Sequence, residues 1–132
     1  MNTKILMMAT SLLNGLIGAL MLFAPDEVVR YLGNERSDAL IAILQLMGGM
    51  FIGKATLNWT AKDFVIGGIF SRPLTLGNFT HFLVGSLVLL KCPLLRQGDA
   101  LCVAFFALYS LFAIAFGYLV FGLGAACKSK AP

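Results

Sequence analysis

Few residues in this sequence have side chains fit for chemistry, and five of them gather around one connection: Asn58, Trp59, Arg72, Asn78 and His81. They lie at the end of one apolar stretch, in the segment after it and at the start of the next, so a shared pocket there would collect amide, imidazole and guanidinium groups. Such a set suits holding a molecule better than transforming it. The donors would fix the polar head of a lipid-like or quinone-like compound while Phe, Leu and Met take its tail. The competing reading makes Asn78 and His81 hydrogen-bonding links between helices, with Arg72 and Trp59 as interface anchors.

Reactive chemistry finds little footing. His81 is the only histidine, and one imidazole without a carboxylate in its own segment makes neither a metal site nor a proton relay. The sequence has no Cys-x-x-Cys, no phosphate-cradling glycine loop and no paired carboxylates within an apolar stretch. The expectation is a non-enzymatic protein with no cofactor and no metal. Lys54 is the one cation set well inside a stretch; its long stem lets the ammonium reach the nearby interface, so it reads as a snorkelling side chain.

What must position these residues is membrane helix. Of 132 residues, 59% are hydrophobic and 12% charged, against about 25% charged in a soluble domain. Four apolar blocks, Ile5 to Ala24, Ala39 to Trp59, Leu74 to Lys91 and Asp99 to Leu123, each have the roughly 20 residues that cross a bilayer core. The fold class read from this is an all-α membrane protein, a single integral domain of four transmembrane helices in a bundle. A short interfacial helix follows the first span, because Pro25, Asp26 and Glu27 open a segment that Gly33 closes, the charge and proline pattern of a helix start and stop. Val28, Val29 and Leu32 would face the membrane. Phe64 to Phe70 is apolar but too short to cross, and reads as a loop on the inner face.

Each span carries one stripe of small or polar residues: Thr10, Ser11, Asn14, Gly15 and Gly18 in the first; Gln45, Gly48, Gly49, Ile52, Thr56 and Trp59 in the second; Thr75, Asn78, His81 and Gly85 in the third; Cys102, Ser110, Ala113, Gly117 and Gly124 in the fourth. Small residues let backbones approach, and amides in hydrocarbon want partners, so these stripes are expected to face other helices. Asn14, Gly18, Gln45, Gly49, Ser110 and Gly117 are the expected packing residues. The opposite face of the third span, Phe79, Leu83, Leu87 and Leu90, suits lipid.

The net charge of +4 comes from scattered basic residues that form no run or face, which excludes a nucleic-acid surface. With both termini cytoplasmic, six basic residues fall inside and four outside, in the sense of the positive-inside rule. Met1 to Ala24 reads as a span, since its apolar run is long for a signal peptide and Pro25 spoils a cleavage site. Of three cysteines, Cys92 and Cys102 fall on the same side, flanking the last hairpin. Free thiols are the expected state and a bridge between those two is the alternative.

The series Gly18-Ala19-Leu20-Met21-Leu22-Phe23-Ala24-Pro25, Gln45-Leu46-Met47-Gly48-Gly49, Leu57-Asn58-Trp59, Arg72-Pro73, Asn78 and His81-Phe82-Leu83-Val84-Gly85 resembles small four-span bacterial membrane proteins. The layout, with a Pro-acidic interfacial segment after the first span, is similar to the DoxX-like group. The resemblance covers residues 5 to 120 and implies a four-helix fold and a bacterial inner membrane. Members of that group are linked to redox-related complexes and to chaperone-like roles, and this chain lacks a cysteine pair that would make a redox role specific. The expected function is binding of a small amphipathic molecule, or of a membrane-protein partner or second copy, through the bundle interior. A structural or assembly subunit is the rival. A small proton-coupled exporter ranks below both, because the first span has no carboxylate.

Overall fold

The structure, a computed structural model, describes residues 3–63 and 71–122. Among them the chain is all-helical, with four helices long and apolar enough to cross a membrane: Thr3–Phe23, Asp38–Thr60, Arg72–Lys91 and Ala100–Gly122. It is a multi-pass membrane protein by length and composition. The loop expected at Phe64 to Phe70, and Gly124 and Cys127 near the end, lie outside the described residues.

The chain divides into two compact units, Met1–Phe64 and Val65–Pro132. In the first, α1 (Thr3–Phe23) and α3 (Asp38–Thr60) form an antiparallel hairpin joined through the short α2 (Pro25–Tyr31). Pro25 starts α2, Asp26 and Glu27 sit in its first turn and Arg30 in its last, an arrangement that complements the helix dipole. Gly33 follows with φ of +69°, a left-handed turn that glycine adopts without strain. The interfacial helix therefore forms where the sequence places it. Its facing differs from expectation at Val29, which is 2% exposed and packs within the unit, while Leu32 is exposed as expected.

The α1–α3 seam is built on backbone contact. A Cβ added to Gly18 would lie 2.8 Å from the Gly48 carbonyl oxygen, and one added to Gly48 would lie 2.8 Å from the Gly18 oxygen and 2.9 Å from the Leu22 nitrogen. Only glycine on both sides permits that approach. Further along, Ser11 Oγ donates to the Ala55 carbonyl at 2.7 Å and Asn58 Nδ2 donates to Thr10 Oγ1 at 3.2 Å. Thr10, Asn14 and Asn58 are fully buried. The stripe of α1 is thus the one expected, Thr10, Ser11, Asn14 and Gly18.

On α3 the seam runs through Leu44, Gly48, Ala55 and Asn58, rotated about a quarter turn, at 100° per residue, from the stripe the sequence suggests. Gly49 is exposed, with nothing within 4 Å of a Cβ there, and is not a packing residue of this hairpin; Gln45 is exposed at its flank and donates to the Leu22 carbonyl of α1 at 3.5 Å. The reason is hydrogen-bond supply. Thr56 donates to the Ile52 carbonyl of its own helix at 3.0 Å, so its hydroxyl needs no facing helix. Gln45 takes its partner, the Leu22 carbonyl of α1, from the exposed flank at 3.5 Å. The shorter amide of Asn58 bonds Thr10 of α1 from within the seam.

The second unit pairs α4 (Ser71–Lys91) with α6 (Ala100–Gly117), antiparallel and linked by the single turn α5 (Pro93–Arg96). Pro73 falls in the first turn of α4, where its missing N–H costs nothing. Asp99 caps α6, its Oδ2 accepting from the Cys102 N–H at 2.9 Å. A π-helical stretch, Tyr118–Gly122, continues α6.

Aromatic side chains form the core of this hairpin. Phe82 and Phe116 are fully buried and stack with centroids 5.9 Å apart and planes 7° from parallel, while Tyr109 and Phe112 flank Phe82 at 5.2 and 5.0 Å. Ser110 and Gly117, expected at the centre of the α6 stripe, are half-buried beside it. Gly117 does meet a neighbour, since a Cβ there would come within 3.1 Å of the Phe79 ring. Phe79 also packs edge-on to Phe121 at 5.6 Å, so it faces α6 where lipid was expected. Leu83, Leu87 and Leu90 are exposed as expected.

Candidate functional site

The five residues singled out by their chemistry divide between the two units, Asn58 and Trp59 in the first and Arg72, Asn78 and His81 in the second. Asn58 and Trp59 are sequence neighbours and therefore point about 100° apart on α3. Asn58 is fully buried and donates to Thr10, an interhelical link within the first unit. Trp59 is 50% exposed. Arg72 is exposed in the first turn of α4, and Asn78, one turn and a half further on, is 1% exposed. The His81 imidazole is half-buried in the aromatic core, edge-on to Phe82 at 5.0 Å and tilted against Tyr109 at 5.7 Å.

Of the five, Trp59 lines a cavity. An open groove of about 380 Å³ runs along α1 and α3, bounded by Ser11, Leu12, Gly15, Leu16, Ile52, Ala55, Thr56 and Trp59. Gly15 and Ala55 create it: they face each other across the seam, a Gly15 Cβ standing 3.7 Å from that of Ala55, and their small size leaves the floor between Leu12, Leu16 and Ile52 unfilled. The two hydroxyls along it are already engaged, Ser11 with the Ala55 carbonyl and Thr56 with that of Ile52. The groove is therefore apolar in chemistry as well as in composition. Its volume is at the lower end of the roughly 300–1,000 Å³ of small-molecule sites.

One end of this groove is polar. Lys62 Nζ sits 3.7 Å from the centroid of the Trp59 ring, a cation–π contact. Lys4 Nζ pairs with Asp63 Oδ1 at 2.6 Å, and that hydrogen bond, helped by the charges of Lys4 and Lys62, holds the Asp63 carboxyl below its ordinary range. An apolar trough ending at an indole with an ammonium group over its face can hold a chain with a polar head. Among the described residues no group of three His, Cys, Asp or Glu side chains could hold a metal ion.

Sequence reasoning found Trp59 and missed the rest of the groove. The available signal was steric. Ser11 and Gly15 on α1 and Ala55 on α3 are small residues brought opposite by an antiparallel hairpin, and a gap follows from their pairing once the register is known. No protein-family model, curated protein or solved structure matches the chain.

Proposed function

We propose that this chain is a non-enzymatic, multi-pass protein of a bacterial inner membrane, with both termini cytoplasmic, that holds a lipid-like or quinone-like molecule by its chain in the α1–α3 groove. The observation that carries this reading is the groove itself, apolar along its length with Trp59 and Lys62 at one end. Tryptophan and lysine are the side chains that sit at the boundary between acyl chains and water, so a bound amphipathic molecule would keep its head in its preferred layer. Acyl or isoprenoid carbons would fill the space that Gly15 and Ala55 leave.

The test is native mass spectrometry of the full chain released from membranes, with Thr56→Phe as the groove-filling variant. Thr56 is exposed and its hydroxyl bonds only its own helix, so the larger ring fills the trough without entering the seam. The expected result is a lipid or quinone adduct retained by the parent chain and lost at least tenfold in Thr56→Phe. Equal retention by both would overturn the reading.

A second reading, a subunit or assembly factor of a membrane complex, is favoured by one observation. Gly49 and Gly53 are exposed, four residues apart on α3, with nothing within 4 Å of either Cβ position, and such a face accepts another helix closely. It predicts stoichiometric co-purification with a second membrane protein that Gly53→Leu abolishes.

A further inference from the structure

We infer that the molecule held in the α1–α3 groove is an anionic phospholipid, chosen over zwitterionic lipids and quinones by the ammonium of Lys62 at the Trp59 end. The inference rests on the reading of that groove as a chain-binding site and adds which head group it takes. Length limits the occupant first. On α3 the groove runs from Ile52 to Trp59, seven residues or about 10 Å along the helix, which is less than the roughly 15 Å of hydrocarbon in one leaflet. One acyl chain lying in it therefore stays within a leaflet, with its head at the indole. Because the hairpin is antiparallel, the last turn of α3 and the first turn of α1 reach the same interface, as the contact of Lys4 with Asp63 shows.

Charge at that end of the hairpin then decides the head group. Lys4 Nζ and Asp63 Oδ1 pair at 2.6 Å and cancel each other. Lys62 Nζ rests 3.7 Å from the centroid of the Trp59 ring, and among the described residues it forms no salt bridge. A ring face attracts the ammonium without neutralising it, and it covers one side only, so N–H donors remain for an oxygen acceptor. One positive charge is left over beside the groove. A phosphodiester head with neutral hydroxyls carries the single negative charge that matches it. A zwitterionic head brings an ammonium of its own and leaves the excess in place. A quinone offers neutral carbonyls that want donors, and the groove's two hydroxyls, on Ser11 and Thr56, are already committed to backbone carbonyls.

The test is native mass spectrometry of the full chain in micelles carrying equimolar dioleoyl phosphatidylglycerol and dioleoyl phosphatidylethanolamine, which share their chains and differ in the head. The expected result is an adduct population favouring phosphatidylglycerol about fivefold, the effect of one lysine on one lipid charge at a membrane surface. Lys62→Arg should keep that ratio, and Lys62→Gln should bring it to parity by lowering the phosphatidylglycerol adduct alone. Parity in the parent chain, a preference that survives in Lys62→Gln, or displacement of phosphatidylglycerol by equimolar ubiquinone would overturn the inference. Thr56→Phe tells its failure from that of the groove reading. Parity in the parent with both adducts lost in Thr56→Phe keeps the groove and discards the head-group choice, whereas both adducts retained in Thr56→Phe discards the groove and the inference with it.

Discussion

The two hairpins solve the same problem with different materials. In α1–α3 the helices touch through glycine backbones and a few buried amides and hydroxyls; in α4–α6 they are held apart and joined by rings, with Phe82 at the centre of four aromatic contacts. In a bilayer the surrounding lipid is as apolar as leucine, so burial of apolar area does not drive helices together; dispersion at close range and hydrogen bonds do. The first hairpin uses short distance and polar links, the second uses large polarisable surfaces that interlock. The comparison implies that the first should fail abruptly when its spacing is disturbed, and the second by degrees.

The largest effect should therefore come from Gly48→Leu. Any Cβ there meets backbone atoms of α1 at 2.8 and 2.9 Å, which cannot turn aside, and the variant should lose the α1–α3 hairpin, read as loss of a cooperative thermal transition in that unit. Gly48→Ala should be destabilising by about 1–3 kcal/mol, the range for overpacking. Gly49→Ala, one residue away with open space around it, should leave the melting temperature unchanged. The matching change in the second hairpin is Gly85→Ala, whose Cβ would lie 2.5 Å from two carbons of the Tyr109 ring. A ring can swing where a backbone cannot, so Gly85→Ala should cost less than Gly48→Ala. The reverse order would erase the distinction between the seams.

Next in size is Phe82→Ala. Phenylalanine truncation in a soluble core costs about 3–5 kcal/mol; here the displaced ring exchanges protein for hydrocarbon, so the transfer part falls away and about 2 kcal/mol of lost packing remains. Phe82→Leu should recover part of it. Hydrogen–deuterium exchange of α4 and α6, compared with that of α1 and α3, would show whether the loss stays within the second hairpin.

This difference in materials also explains what could be read from sequence. The four spans, the short helix after the first and the α1 stripe were legible because charge, proline and the small polar residues Thr10, Ser11, Asn14 and Gly18 are conspicuous against leucine. The aromatic seam was not, since Phe82, Phe112 and Phe116 are as comfortable in lipid as in a core, and only coordinates separate them from exposed Phe121 or Phe23. The α3 stripe came out rotated because Thr56 was counted as seeking a partner elsewhere, when it is satisfied within its own helix, and because Gln45 reaches its partner on α1 from the flank of the seam. Of the five chemical candidates, the groove took Trp59; Asn58 and His81 turned out to be built into the two seams, one by hydrogen bond and one by ring contact.

A smaller effect separates the two buried amides of the first hairpin. Asn58→Leu removes a hydrogen bond between helices and leaves Thr10 with only the carbonyls of its own turn, Leu6 and Met7. Interhelical bonds in membranes average about 0.6 and reach about 1.7 kcal/mol, so a loss near 1 kcal/mol is expected. Asn14 bonds the Thr10 carbonyl of its own helix at 2.8 Å, and its buried Oδ1 meets no hydrogen-bond partner among the described residues. Asn14→Leu should therefore be close to neutral, or stabilising, because an unmet acceptor leaves with the side chain. Steric-trap unfolding of the two variants, side by side, would show it; equal losses would mean that Asn14 makes a link as Asn58 does.

The smallest effect lies at the polar end of the first hairpin and depends on pH. The Lys4 hydrogen bond lowers the Asp63 carboxyl below the 3.8 of an ordinary aspartate, so the folded state binds that proton less readily than the unfolded one. The contribution is then fully present above about pH 4 and disappears as acid brings the pH down through the lowered folded value. Both side chains are more than half exposed, and salt screens such pairs, so the change in melting temperature should be slight, largest at low ionic strength, and missing in Asp63→Asn. Carboxyl titration by NMR reads the same point directly: the Asp63 midpoint should rise toward its ordinary value in Lys4→Met. An unchanged midpoint would mean that the ion pair does not tie the ends of α1 and α3 together, and that the glycine contact at Gly18 and Gly48 sets their register without help from charge.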